Sequence, residues 1–201
     1  GHFSRYSSAN IHLLGELMGL FIASITWPLW KRSERWKNVA RRELEREMLL
    51  QNAGDGVNRE QANWYHHEVA DMMIVSGLVA RANGCDFRTA YWHRLRRMLE
   101  YIASIMDAGG HVPNFGDADD AIIARLDPDP QVDVYRSLLA TGAVLFDSAE
   151  FKFKSLMAGG VIDDKTRWLL GDAAASKYDG TDMSQISLPV RRDFLRAGYF
   201  I

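Results

Sequence analysis

The sequence predicts an all-α chain built from antiparallel helical hairpins. Apolar residues recur every three or four positions along most of it, the period of a helix with one buried face. The periodic stretches run to about twenty residues and are divided by short turns, which returns each helix against its neighbour. The composition agrees: 201 residues, 47% apolar and 25% charged, suffice for a substantial core. Stacked hairpins can form a bundle, a solenoid or an (α/α) toroid, and periodicity alone does not choose among them.

The elements follow in order. Ser7 and Ser8 are placed to cap a first helix carrying Ile11, Leu14, Met18, Phe21, Ile22 and Ile25, which Pro28 ends or kinks. A second helix is expected from near Ser33 to Leu50. Trp36, Val39, Ala40, Leu44 and Met48 make its buried stripe, while Arg41, Arg42, Glu45 and Arg46 face water. Asn52-Ala53-Gly54-Asp55-Gly56 is a turn. Asn58 and Gln61 have the spacing of a capping box opening a third helix, which reaches Asn83 and stops at Gly84. A fourth helix spans Phe87 to Asp107 and closes at Gly109-Gly110. His111 to Asp117 reads as a loop, and Ala118 to Leu126 as a short helix stopped by Asp127-Pro128-Asp129-Pro130. Further helices are expected over 131–145, 149–157 and 163–175. The polar stretch 177–189 reads as a linker, and Arg196 to Ile201 ends in a strand-like apolar run.

Several function classes recede on composition. Net charge is -2, less basic than a duplex-binding domain requires, so nucleic acid is not an expected partner. Cys85 is the only cysteine, so neither an intrachain disulfide nor a cysteine zinc cluster can form. No apolar run has the length of a membrane span; Leu13–Trp30 is broken by Gly15, Glu16, Gly19, Ser24 and Pro28.

Four clusters carry chemistry. His12 and Glu16 lie four apart on one helix face, where the carboxylate can orient the imidazole or simply stabilise it; no metal shell is completed. The run Asp55 to His67 holds Gln61, Trp64, Tyr65 and His66. A tyrosine beside basic groups can act as acid or base, though aromatic residues there also suit a core. Asp117, Asp119 and Asp120 can hold a cation, serve as a hydrolytic pair, or cap a helix. Tyr91, Trp92 and Arg94, with Arg96 and Arg97 beyond, combine rings and guanidinium groups suited to an anionic sugar, or form a solvated basic face.

Together, the run Ser7–Glu16, then Asp55-Gly56 and Glu60-Gln61 leading to Tyr65-His66, then Gly116-Asp117-Ala118-Asp119-Asp120, resembles the helical domain of the heparinase II/III-like polysaccharide lyases and related oligoalginate lyases. The resemblance implies part of an (α/α) toroid over 1–176. Residues 177–201 would then be a linker and the start of a β-sandwich domain lying beyond this sequence. It implies β-elimination next to a uronic acid in an anionic polysaccharide or oligosaccharide. Asn10 would bind the carboxylate, His12 would act as base or carboxylate partner, Tyr65 as acid and, for one substrate geometry, also as base, and Glu16 would orient its surroundings. Gln61, Trp64, His66, Tyr91, Trp92 and Arg94 would contact substrate. It implies no cofactor or metal in this stretch, since the zinc of some members sits in the β-sandwich, and a periplasmic or secreted location. The family often reads Asn-Asn-His where this chain reads Asn10-Ile11-His12. Two other functions fit the same residues: an inverting glycoside hydrolase using Asp117, Asp119 or Asp120, and a non-catalytic carbohydrate-binding module.

Overall fold

The computed structural model describes residues 3–6, 9–184, 186 and 192–201. Among these are eight α-helices: α1 (Ile11–Thr26), α2 (Ser33–Gln51), α3 (Asn63–Ala82), α4 (Thr89–Ile105), α5 (Val134–Phe146), α6 (Ala149–Leu156), α7 (Asp164–Leu170) and α8 (Ala173–Gly180). A 3-10 turn, Met157–Gly159, follows α6, and β1 (Asp193–Phe194) pairs antiparallel with β2 (Tyr199–Phe200). Helix α1 packs on α2 and α3, α3 on α4, and α4 on α5, against which α6, α7 and α8 also pack. The all-α expectation therefore holds, with a small C-terminal hairpin.

The long helices form where the apolar period is strongest. Leu14, Leu17 and Phe21 of α1, Leu44 and Met48 of α2, Met73 and Ile74 of α3, and Leu95, Met98 and Leu99 of α4 are fully buried together. Burying one such side chain is worth roughly 1.5–3 kcal/mol, so these positions dominate the fold's stabilisation. Phe87 stacks on Tyr91 at 4.1 Å and tilts against Phe21 at 5.9 Å, which ties α4 to α1.

Several local expectations are corrected. Ser7 and Ser8 lie outside the described residues; Asn10 caps α1, its Oδ1 accepting from the His12 N–H at 3.2 Å. The Asn58–Gln61 capping box does not form. Asn58 Oδ1 accepts from Glu60 N instead, Gln61 takes a left-handed φ of 54°, and α3 begins only at Asn63. Glu45, expected in water, is buried because the Arg88 side chain (3.0 Å) and backbone N–H (2.8 Å) both reach its Oε1. The helix expected over 118–126 is absent. Asp119 Oδ1 takes the Ala121 N–H and Asp117 Oδ1 the Ala118 N–H, satisfying locally the donors that a helix would use. The expected helix over 163–175 divides into α7 and α8 at Gly171, whose φ is 80°.

Helical structure continues to Gly180, into the stretch read as linker, and the chain after Arg192 is anchored rather than loose. Arg192 grips Glu150 through two bonds of 2.7 Å. Phe194 and Tyr199 set their rings edge-on to Tyr101, at 5.2 and 5.6 Å. Asp55 Oδ2 accepts the backbone N–H groups of Arg196 and Ala197, which pins the hairpin to the α2–α3 turn.

Candidate functional site

Two local constructions bring the start of α1 and the start of α3 to one place. At α1, Glu60 reaches across from the α2–α3 connection. Its carboxylate accepts the Ile11 N–H at 3.1 Å and the Asn10 side-chain amide at 3.3 Å. A carboxylate is favoured there because the first N–H groups of a helix lack internal partners and carry partial positive charge. At α3, Asn63 donates to Pro113 O at 2.8 Å and its backbone N–H to Phe115 O at 2.9 Å, so the 111–117 loop is laid over the helix start. Gly116 makes the close approach possible: its φ is 78°, and a Cβ there would stand 2.6 Å from Ala62 Cα. The loop thereby delivers Asp117 to Tyr65, whose hydroxyl donates to Asp117 Oδ2 at 3.1 Å.

The result is a groove of about 550 Å³ lined by Asn10, Ile11, His12, Glu16, Glu60, Tyr65, Glu68, Asp117 and Asp119, among others. Asn10, His12, Glu16 and Tyr65 thus share one cleft. His12 is exposed and Tyr65 half-exposed, so both rings are accessible. The Asp117 bond, reinforced by nearby carboxylates, raises the Tyr65 phenol above its ordinary value and keeps it protonated at neutral pH. Among the described residues no hydrogen bond joins Glu16 to the His12 imidazole. The two Glu16 oxygens accept the Ser4 N–H (2.9 Å) and hydroxyl (2.7 Å), which lowers its pKa.

Glu68 went unassigned in the sequence, yet it is the most perturbed acid of the groove. Only 3% exposed, it is pushed up to about 7 by burial first and then by the neighbouring Asp119 carboxylate, which is itself held low by the Ala121 N–H. The available signal was its place three residues after Tyr65, on the same face of α3. Glu60 was likewise quoted without a role. Among the described residues the groove has five carboxylates against one imidazole and no arginine or lysine.

The other expected contacts lie elsewhere. His66 is sealed in the core: its Nδ1 accepts from Asn58 N at 3.2 Å, so Nε2 carries the proton and donates to Met98 O at 3.0 Å. Burial drops its pKa to about 4. Tyr91 is equally buried and donates to Met73 O at 2.7 Å. Arg94 donates to the carbonyls of Leu49 and Asn52 at the end of α2, a cap rather than a free cation. Trp92 bonds Asp86 at 2.9 Å beneath the Arg81 guanidinium. Gln61 is exposed in its turn. Trp64 is half-buried, edge-on to His67 (4.9 Å) and Tyr135 (6.4 Å). Its indole N–H is near Glu68 and Asp119 but makes no hydrogen bond of normal geometry. His66 and Tyr91 are therefore core residues of this chain, while the polar atoms of Trp92 and Arg94 are engaged by the Asp86 carboxylate and by backbone carbonyls. Among the described residues no three His, Cys, Asp or Glu side chains are grouped to hold a metal, and no helix is long and apolar enough to cross a membrane.

The family model described as heparinase II/III N-terminus matches residues 1–127. No curated protein sequence matches the chain. Among solved structures, a crystal structure of heparinase III superposes with a TM-score of 0.62 at 19% identity, over 79% of this chain and 25% of that one. A heparinase III gene product with methylated lysines gives 0.56 at 21% identity, over 80% and 24%. The chain spans about a quarter of the length of these structures.

Proposed function

The chain belongs to the heparinase II/III N-terminal family, and from that premise we propose that it supplies one wall of a lyase active site, as part of an (α/α) toroid, for β-elimination in a uronic-acid-containing polysaccharide. The observation that carries this reading is the meeting of His12, Asn10 and Tyr65 in one groove. Elimination breaks the C5–H and C4–O4 bonds of the uronate and forms a C4–C5 double bond. A base takes the C5 proton, a donor must neutralise the C5 carboxylate, and an acid protonates the departing O4. Tyr65 is suited to be the acid, since it holds its proton at neutral pH. It must release Asp117 before donating to the leaving oxygen. His12, exposed at the first turn of α1, is the base or carboxylate partner. Asn10 is the nearest amide donor, but here its side-chain N–H₂ is directed to Glu60.

The test uses the full-length protein. Wild type is expected to release products with a conjugated double bond that absorb in the near ultraviolet, and Tyr65→Phe to lower turnover at least about 100-fold, the usual contribution of a positioned acid. Absence of absorbance with every uronic-acid polymer, or full turnover by Tyr65→Phe, overturns the reading. A second reading, binding without cleavage, is favoured by Ile11: this buried apolar side chain stands where the family often has a second asparagine. Tight binding of polymer with no unsaturated product supports it.

A further inference from the structure

Beside the groove lies a second cavity of about 510 Å³, a volume typical of small-ligand sites. Asn10 and Glu60 line both, so the two adjoin across the Asn10–Glu60 contact. Their charges are opposite in character. Among the described residues the groove is carboxylate-rich with His12 as its one basic side chain, whereas the cavity carries Arg5, Arg46 and Arg59 against Glu47 and Glu60.

Two of these arginines are already committed. Arg5 pairs with Glu43 at 3.0 Å, and Arg46 with Glu43 and Glu47 at 3.2 and 3.3 Å. Arg59 is exposed and has no carboxylate partner among the described residues. Its backbone N–H bonds Gln51 O at 2.9 Å within the Asn52–Asn58 bridge, which fixes the root of the side chain at the cavity. A guanidinium held by its root, with its donor fork free, is the group that recognises a carboxylate or sulfate through paired hydrogen bonds. Tyr6, 96% exposed on the same cavity, offers a ring face to a sugar.

We infer that this cavity is a distal subsite for an anionic sugar unit, a uronate or a sulfated residue, of the same chain whose glycosidic bond lies in the groove. The inference rests on the lyase reading of the groove and adds to it a direction. A polyanion lying over both groove and cavity meets like charge among the groove's carboxylates and opposite charge at the Arg59 guanidinium. Its anionic neighbour unit is therefore seated over Arg59 while the bond to be broken lies between His12 and Tyr65.

The test measures affinity by calorimetric titration of the full-length protein in a Tyr65→Phe background, so that ligand survives. The probes are a hexasaccharide alternating uronic acid and glucosamine, sulfated and unsulfated, and the matching disaccharide. Arg59→Ala is expected to weaken hexasaccharide binding about tenfold and disaccharide binding less than about twofold. Arg167→Ala, the same charge change on exposed α7, is expected to alter neither. Loss confined to the sulfated hexasaccharide assigns sulfate, and equal loss on both assigns the uronate; either supports the subsite. Hexasaccharide affinity within about twofold of the parent, or equal weakening of hexasaccharide and disaccharide, overturns it. Ultraviolet-absorbing product in the Tyr65→Phe background refutes instead the role of Tyr65, and KM for the two ligand lengths then reads the same comparison.

Discussion

Replacing Glu68 by Gln tests the electrostatics of the groove most directly. Glu68 is 3% exposed, on α3, with its carboxyl raised from 4.5 to about 7 by burial and by Asp119. A carboxyl with a raised folded pKa stabilises the folded state while protonated. That contribution is full below about 4.5 and is lost as pH climbs through about 7. The span corresponds to on the order of 3 kcal/mol as an upper figure, since coupling to Asp119 shares the effect between two groups. His66 works in the opposite sense. Its folded pKa of about 4 means stability is gained as pH rises towards the ordinary histidine value, so the wild-type profile alone conceals the Glu68 contribution. The difference between wild type and Glu68→Gln cancels the histidines. Gln keeps the shape of the acid and carries donors that can face Asp119, without titrating. Thermal melts from pH 5 to pH 8 are expected to show near-equal midpoints at the acid end. At the alkaline end the variant should gain several degrees, given roughly 2–4 °C per kcal/mol for a chain of this size. A constant offset across that range would refute the argument that burial holds the Glu68 proton.

Three further outcomes concern stability. Lys165 and Asp71 form an ion pair of 2.9 Å with side chains 5% and 3% exposed, so Asp71→Ala should strand a buried ammonium and cost about 3–5 kcal/mol in urea unfolding; a loss below about 1 kcal/mol would contradict that account. Gly56 has φ 99° and a Cβ there would stand 2.3 Å from the Arg97 carbonyl carbon, so Gly56→Ala must move backbone, and at least about 2 kcal/mol should be lost by the same measurement. Leu99, fully buried where α4 meets α5, should cost about 2–5 kcal/mol as Leu99→Ala, and an unchanged midpoint would place it outside the core.

Much of the helical order was legible in the sequence because the apolar period is strong where it matters. In α2 the spacing of Ala40, Leu44 and Met48 located a helix and its inner face. Where short polar residues compete for backbone donors the reading failed. Asp117 and Asp119 satisfy their own neighbours and leave 118–126 without a helix, and Gln61 turns left-handed ahead of α3. Of the site, His12, Tyr65 and Asn10 were legible as an ordered motif. Glu68 was not, because a glutamate inside an apolar helical run looks like any other until its burial is known.

What the sequence determined by itself was the inventory: helical periodicity, a histidine and a tyrosine about fifty residues apart on two helices, and the family pattern joining them. Which groups meet was decided by tertiary structure. Gly116 lets the 111–117 loop close on Ala62 and carry Asp117 to Tyr65, and Glu60 crosses from another segment to hold the start of α1. Tertiary packing also withdrew His66 and Tyr91 from solvent and, among the described residues, left Arg59 without a carboxylate. The physical reason is that a side chain's charge, partners and exposure depend on what lies a few ångströms away in space, and periodicity along one helix carries no information about the residues opposite.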